Sequence, residues 1–315
     1  MNCLCCGKPL KKESETGWHH SCIKRFFGTE TLPDIDLSDA NLAFIASENV
    51  NQGFTVPGVQ KKMSLHLFSD AKQPRLTLVN YPTGYILKPQ VEEYPHLPES
   101  EHLVMCMADI CGIATVPHAL MKNGDSLAYI SKRVDRIIRS DSVQKLAMED
   151  FCQLDLRLTQ DKYKGSYERC SKVITRYSSQ VHFDQSELFL RLVFCFLTGN
   201  SDMHLKNFSL IETETGSHEY VLSPAYDLLP VNLVLPQDKE QTALTLNGKK
   251  AHLRKKDFLV FAENAGIGKD SAEKMIQFLL KKLPKMHALC DTSLLPREMK
   301  EGLHLLMQDR ALTLS

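Results

Sequence analysis

The sequence has no excess of either charge: 38 Lys and Arg stand against 38 Asp and Glu. No global field therefore points to nucleic acid or an anionic membrane, and any charged partner must be met by a local patch. A long hydrophobic run is also missing. The longest, residues 188–197, contains Arg191 and is half the length of a membrane span. The first residues are polar and cysteine-rich rather than apolar, so no secretory signal is visible and the expected location is the cytoplasm. There is no internal repeat and no low-complexity tract. The ten cysteines do not form a disulfide framework of a short secreted chain. Four fall within the first 22 residues, and most of the rest lie in apolar, helical stretches, which fits a reducing compartment.

What is present is an ordinary globular composition over 315 residues, long for one core and sufficient for two lobes around a cleft. Residues 1–28 crowd cysteine and histidine together, and residues 29–52 read as a linker with a small helix. Strand patterns follow at 54–56, 63–68, 75–79 and 85–88, separated by turn signals. Ser100 is placed to cap a helix ending at Gly112. Strands are expected at 115–121 and 126–130, joined at Asn123-Gly124. Beyond about residue 140 the pattern is mainly helical. One helix, 187–198, is opened by Asp184 or Ser186 and is apolar on nearly every side, so it belongs at the centre of its lobe. Short strands at 208–211 and 220–222 interrupt the helices. In the C-terminal third, Ala272, Ile276, Leu279 and Leu283 share one helix face. The expected fold class is α+β, two-lobed and kinase-like. Its parts are a cysteine-rich segment (1–28), a β-rich lobe (29–130) with a phosphate loop at 57–64, and a helical lobe (131–315). The helical lobe begins at a hinge and contains a catalytic loop (199–207) and a metal-binding segment (225–230).

The informative chemistry surrounds Asp202. Phosphoryl transfer needs a carboxylate to accept the proton of the attacking hydroxyl, hard oxygen ligands for Mg²⁺, and a cation on the phosphates. Asp202 and Asn207, in Asp-x-x-x-x-Asn spacing, put a base and a metal ligand on one loop. The hairpin of the two short strands returns the chain so that Asp227, twenty residues on, can supply the second ligand. No His-Arg precedes Asp202 and no Phe-Gly follows Asp227, so the chain is not an ordinary eukaryotic-type kinase. Taken alone, an Asp-x₄-Asn spacing is common by chance.

The segment SDMHLKNFSL followed by LSPAYDLLP resembles the Asp-x-His-x-Lys-Asn-Phe and Pro-x-Tyr-Asp signatures of the HipA family of bacterial serine/threonine kinases. PGVQKKMSLHL is similar to that family's Gly-Val-Gln-x-Lys-x-Ser loop. YILKPQ, SEHLVMCMADICGI, SKRVDR and MEDFCQL resemble further family segments. The resemblance spans most of residues 54–240. It implies that Lys88 contacts the ATP phosphates with Glu101 as its partner, that His204 and Lys206 lie near them, and that Asp202 is the base. Asn207 and Asp227 would hold Mg²⁺. Lys132, Val134 and Asp135 would belong to a hinge reading adenine and ribose, although the family often has an acidic residue where Lys132 stands and Phe where Val134 stands. Gly58, Val59, Gln60, Lys62 and Ser64 would form the phosphate loop. Ser64 aligns with the serine that the family autophosphorylates; a phosphate there would repel ATP and act as an off switch.

The resemblance also implies a shortened, HipT-like toxin of a three-component operon. Its partners would be a small HipS-like protein and a HipB-like helix-turn-helix DNA-binding protein. Its substrate would be an aminoacyl-tRNA synthetase, with tryptophanyl-tRNA synthetase the first candidate. No membrane and no direct sequence-specific nucleic-acid binding is expected. Two other readings remain: a non-catalytic kinase fold that binds operon partners or RNA, and a small-molecule kinase. Loss of Lys88, Asp202 or Asp227 would favour the former, and all three are present.

Two further clusters stand apart from this chemistry. Cys3-x₂-Cys6 and His19-x₂-Cys22 have the pairing of a Cys₃His zinc site with a structural role. His20 could replace His19, Cys5 could replace a cysteine, and the alternative is a reduced cysteine-rich tail. The basic run at 247–256 could dock an acidic or RNA-bound partner, or be a solvated turn entering a helix capped near Asp257. Cys152, Cys195, Met105 and Met107 read as core.

Overall fold

The computed structural model describes residues 2–10, 16–35, 62–68, 73–77, 84–138 and 143–315. The strand expected at 54–56, and Gly58, Val59 and Gln60 of the phosphate loop, lie outside the described residues. The chain divides into two compact units, Met1–His102 with Pro117–Val143, and Leu103–Val116 with Gln144–Ser315.

The first unit opens with helix α1 (His20–Phe27), which Gly28 ends in the left-handed conformation. Strands β1 (Met63–Phe68), β2 (Arg75–Thr77), β3 (Tyr85–Pro89), β4 (His118–Asn123) and β5 (Ser126–Lys132) form one antiparallel sheet in the order β2-β1-β3-β5-β4. Burial fixes the register: Met63 and Leu65 of β1, Tyr85 and Leu87 of β3, and Ala128 and Ile130 of β5 are all buried. The β4–β5 turn falls one residue later than the Asn-Gly signal suggests. Asn123 pairs with Ser126, leaving Gly124 and Asp125 as the loop, with Gly124 at φ 56°. Helix α2 (Leu97–Ile110) starts ahead of Ser100. Pro98 is tolerated in a first turn, where its missing N–H would have no partner anyway. Ser100 is therefore inside the helix rather than its cap, its hydroxyl donating to the His96 carbonyl at 2.8 Å.

Short strands β6 (Arg136–Ile138) and β7 (Val143–Lys145) lead to β8 (Met148–Asp150). In the second unit, β8 pairs with β9 (Ser209–Glu212), which pairs with β10 (Tyr220–Leu222). The hairpin seen in the sequence thus has a third strand, where a helical pattern was expected. Three residues are too few to display a period of two.

Helices α3 (Phe151–Leu154), α4 (Tyr167–Tyr177), α5 (Val181–Thr198), α6 (Val231–Val234), α7 (Lys255–Asn264), α8 (Lys269–Thr292) and α9 (Arg297–Leu314) complete the second unit. α5 is its centre, packed by α4, α7, α8 and α9. It begins at Val181, six residues earlier than its apolar pattern. Asp184 is not a cap. Its carboxylate accepts the Leu222 backbone amide (2.7 Å), the Ser178 hydroxyl (2.6 Å) and the Gln180 side-chain amide (3.0 Å), tying α5 to β10. Phe196 meets Phe258 edge-on at 5.1 Å, and the Arg310 guanidinium lies 4.8 Å above Phe196. On α8, Ala272, Ile276 and Leu279 are buried, but Leu283 is only half-buried, and Met286 and Cys290 continue the face. Asp257 is at the third position of α7, where its buried carboxylate accepts from the Arg254 amide, Asn247 and Lys249. Much of the basic run is thereby a turn folded around one carboxylate. No helix among the described residues is long and apolar enough to cross a membrane.

Candidate active site

The loop that carries Asp202 is shaped by the end of α5. Gly199 takes φ 70°, and its amide turns back to the carbonyls of Cys195 and Phe196. The Asn200 side-chain oxygen then accepts the Asp202 amide at 3.2 Å. Met203 and Leu205 are wholly buried and anchor the loop from below; the Met203 carbonyl accepts the Tyr167 hydroxyl at 3.0 Å. Residues Leu205–Asn207 make one 3₁₀ turn. The Asn207 side-chain nitrogen closes the loop by donating to the Asp202 carbonyl at 2.9 Å. That bond commits the amide nitrogen, so the side-chain oxygen is the atom left to act as a ligand.

Asp227 is brought to this loop by its neighbour. The Tyr226 hydroxyl donates to the Lys206 carbonyl at 3.2 Å and lies 2.5 Å from the Ser209 hydroxyl, on either side of Asn207. Two residues earlier, Ala225 bridges to Thr115: the Ala225 amide donates to Ala114 at 2.7 Å and the Val116 amide to Ala225 at 3.0 Å. Between these anchors Asp227 holds φ 56°, an unfavourable conformation for a residue with a β-carbon and one that clusters at functional positions. Arg191, nearly fully buried on α5, donates to the Ser223 carbonyl and to Glu187, each at 2.8 Å, and secures the same segment.

Asp202 is half-buried, and one of its oxygens accepts the Tyr163 hydroxyl at 2.7 Å. Burial and this carboxylate push the Tyr163 phenol above its ordinary range, so it is a donor at neutral pH. His204 is buried against the Tyr163 ring, with centroids 5.0 Å apart. Burial pushes its imidazole below its ordinary value, against the opposing pull of the Asp202 and Asp227 carboxylates. Its Nδ1 has no hydrogen-bond partner among the described residues. Lys206 donates to Asp150 at 2.5 Å, the carboxylate that also caps α3.

In the first unit, Lys88 on β3 donates to Glu101 on α2 at 2.6 Å, and both side chains are buried. The Lys88 ammonium also lies 5.4 Å from the Tyr129 ring centre. Ser64 is exposed on β1 opposite Ile86, on the face of the sheet that Lys88 shares, because alternate strand residues point the same way. Lys62 is exposed immediately before β1. At the expected hinge, Lys132 ends β5 with its ammonium 5.6 Å from the Phe26 ring, and Val134 is half-buried. Asp135 is buried and ion-paired with Arg133 and Arg136. Burial raises its carboxyl, but the two guanidinium groups outweigh that and hold it below the usual range. The four candidate zinc ligands form a separate group in the same unit.

Sequence reasoning named the charged residues but not those that position them. Tyr163 reaches Asp202 from 39 residues away, and Asp150 reaches Lys206 from 56. No spacing rule connects such distances. Tyr226 lay inside a quoted motif without a role. The donor set at Asn207 and Asp227 is hard oxygen, which suits Mg²⁺, an ion that takes few protein ligands. His204 Nδ1, which has no hydrogen-bond partner among the described residues, is a polar atom suited to a bound polar ligand.

Residues 54–286 match the HipA-like C-terminal domain. A Haemophilus influenzae protein whose name marks it as a presumed kinase is 29% identical over 327 residues, 92% of this chain and 90% of that protein. The serine/threonine-protein kinase toxin HipA of Shewanella oneidensis is 28% identical over 204 residues, 59% of this chain and 45% of the toxin. HipA from the same organism, solved with HipB and operator DNA, superposes with a TM-score of 0.68 at 19% identity, over 82% of this chain and 64% of that one. The Helicobacter pylori proinflammatory kinase CtkA superposes with a TM-score of 0.56 at 16% identity, over 80% and 93%. At these identities the superpositions establish the fold alone. The sequence match to the Shewanella toxin covers less than half of that protein's length. The matched domain covers most of the described core of both units, and the chain belongs to the HipA family, with its mixed α/β kinase fold.

Proposed function

We propose that the protein is an ATP- and Mg²⁺-dependent serine/threonine protein kinase of the toxin type. The observation that carries this reading is the closed loop from Asp202 to Asn207, with Asp227 held beside it through Tyr226. Asp202 accepts one hydrogen bond from Tyr163, which fixes its carboxylate and leaves the other oxygen to orient a substrate hydroxyl and take its proton. Asn207 and Asp227 would hold Mg²⁺, which when bound supplies charge neutralisation at the nucleotide phosphates. Lys88, steadied by Glu101, would contact the phosphates. His204 would offer its unpartnered nitrogen to the same ligand, and Lys132, Val134 and Asp135 would line the nucleoside end.

The relatives' names support a toxin role, and the sequence resemblance supports the shortened HipT-like form. On this reading the substrate is an aminoacyl-tRNA synthetase, first of all tryptophanyl-tRNA synthetase. The partners are a small HipS-like protein and a HipB-like DNA-binding protein. Ser64, exposed on the sheet face of Lys88, is the autophosphorylation site and the off switch.

Incubation of the full chain with radiolabelled ATP, candidate synthetases and small hydroxylated metabolites tests the reading. The expected result is label on a synthetase and, by mass spectrometry, on Ser64. Asp202→Asn should lower transfer by roughly 10²–10⁴-fold. Label appearing only on metabolites, or on nothing, overturns the protein-kinase reading.

A further inference from the structure

The N-terminal residues of the chain take no part in the phosphoryl-transfer chemistry, yet they hold the densest group of soft ligands in the protein. The Cys3, Cys6 and Cys22 sulfurs and a His19 ring nitrogen all lie within 4.8 Å of one another. His19 Nδ1 is 3.4 Å from the Cys6 sulfur and 3.8 Å from that of Cys22. In a tetrahedral zinc site with bonds of about 2.3 Å to sulfur and 2.0 Å to nitrogen, neighbouring ligand atoms stand about 3.5 Å apart. The group needs only a small contraction to reach that geometry.

The surroundings are arranged for a metal as well. His19 Nε2 lies 3.1 Å from the Pro9 carbonyl, the contact that fixes the tautomer and leaves Nδ1 free to ligate. The His19 amide donates to the Cys3 sulfur at 3.3 Å. Cys22 is in the first turn of α1, and the Arg25 guanidinium approaches its sulfur at 3.9 Å. Three thiolates and Zn²⁺ sum to one negative charge, which Arg25 balances. The fold also decides between alternatives the spacing left open. His20 turns away to Glu30 at 3.0 Å, and Cys5, though buried, is not one of the converging ligands.

We propose that Cys3, Cys6, His19 and Cys22 bind one structural Zn²⁺, and that this ion clamps the N-terminal segment over the outer strand β4 and against β3. The segment covers what would be a free sheet edge: the Leu120 amide on β4 donates to the Leu4 carbonyl at 2.8 Å, and the Trp18 indole donates to the Leu120 carbonyl at 3.1 Å. From α1, Phe26 and Phe27 pack on Tyr85, with centroids 5.9 and 5.4 Å apart, three residues before Lys88 on β3. Leu4, Trp18, Ile23, Phe26 and Phe27 give the segment a buried apolar base, to which the metal would tie the loop that carries Cys3 and Cys6.

Elemental analysis of the purified full chain should find one zinc per chain. Cys3→Ser, His19→Gln and Cys22→Ser should each reduce zinc to background and lower the melting temperature, whereas Cys5→Ser and His20→Gln retain it. Should the ligand variants fail to fold, Co²⁺ exchanged into the unaltered chain provides the readout: intense tetrahedral d–d bands and a sulfur-to-metal charge-transfer band. Absence of zinc with no tetrahedral cobalt spectrum overturns the site. Zinc kept in Cys22→Ser, or lost in Cys5→Ser, overturns this ligand set. None of these readouts depends on kinase activity.

Discussion

On the proposed kinase reading, Lys88 would serve chemistry and stability together. Its ammonium and the Glu101 carboxylate are both out of water, so removing one deprives the other of its buried ion-pair partner. Lys88→Met should destabilise the protein by about 3–5 kcal/mol in urea unfolding. Adding Glu101→Leu should restore most of that, since apolar replacement of a whole buried pair is often neutral, while phosphoryl transfer stays lost. A double variant as unstable as the single one would mean that the ion pair is not the source of the loss. Sequence motifs led to Lys88, Glu101, Asp202, Asn207 and Asp227 because each is a residue type the chemistry requires. They did not lead to Tyr163 or Asp150, which act only through contacts made after folding.

The helix α5 sets where the Asp202 loop begins. Gly199 holds φ 70°, and a β-carbon there would come within 2.4 Å of Leu306 on α9. Gly199→Ala therefore combines left-handed strain with overpacking, and should cost about 2–4 kcal/mol. Because the loop starts at this residue, phosphoryl transfer should fall further than the folded fraction does. Unfolding midpoints and activity measured side by side check this; a loss below about 0.5 kcal/mol would show that α9 yields without cost. The apolar pattern of α5 was legible, but its true first turn was not. That turn is polar, and Asp184 is placed in it by β10 rather than by helix propensity.

Across the whole molecule, equal numbers of acidic and basic residues leave pH stability to a few buried groups. His102 and His118 are buried with their Nδ1 atoms 3.0 Å apart, one ring donating to the other. Burial, then the neighbouring His118, pushes His102 well below its ordinary 6.5. The unfolded chain therefore binds a proton that the folded chain refuses. Stability is complete above pH 6.5 and declines as pH falls from there toward the depressed value, by up to ~1.4 kcal/mol per pH unit. Asp155 and Asp257 behave in the opposite range. Burial raises them, but Arg169 and Arg157 in one case and Lys249 and Asn247 in the other hold them below 3.8. Their contribution persists above that value and is lost beneath it. Melting curves against pH should show two separate declines, and His102→Gln should flatten the upper one; an unchanged upper slope would assign that decline to other groups.

The sequence by itself determined the family, the α+β class and the spacing of two soft-ligand couples, and it supplied the residue types on which the proposed phosphoryl transfer rests. All of these are local patterns, and short-range spacing and residue chemistry are enough to specify them. Only the tertiary structure decided that His19 rather than His20 joins the cysteines, that β8 completes the second sheet, and that Tyr163 and Tyr226 hold the Asp202 loop in shape. Those outcomes depend on which distant side chains burial forces into contact, and no periodicity in the chain encodes a meeting between residues so far apart.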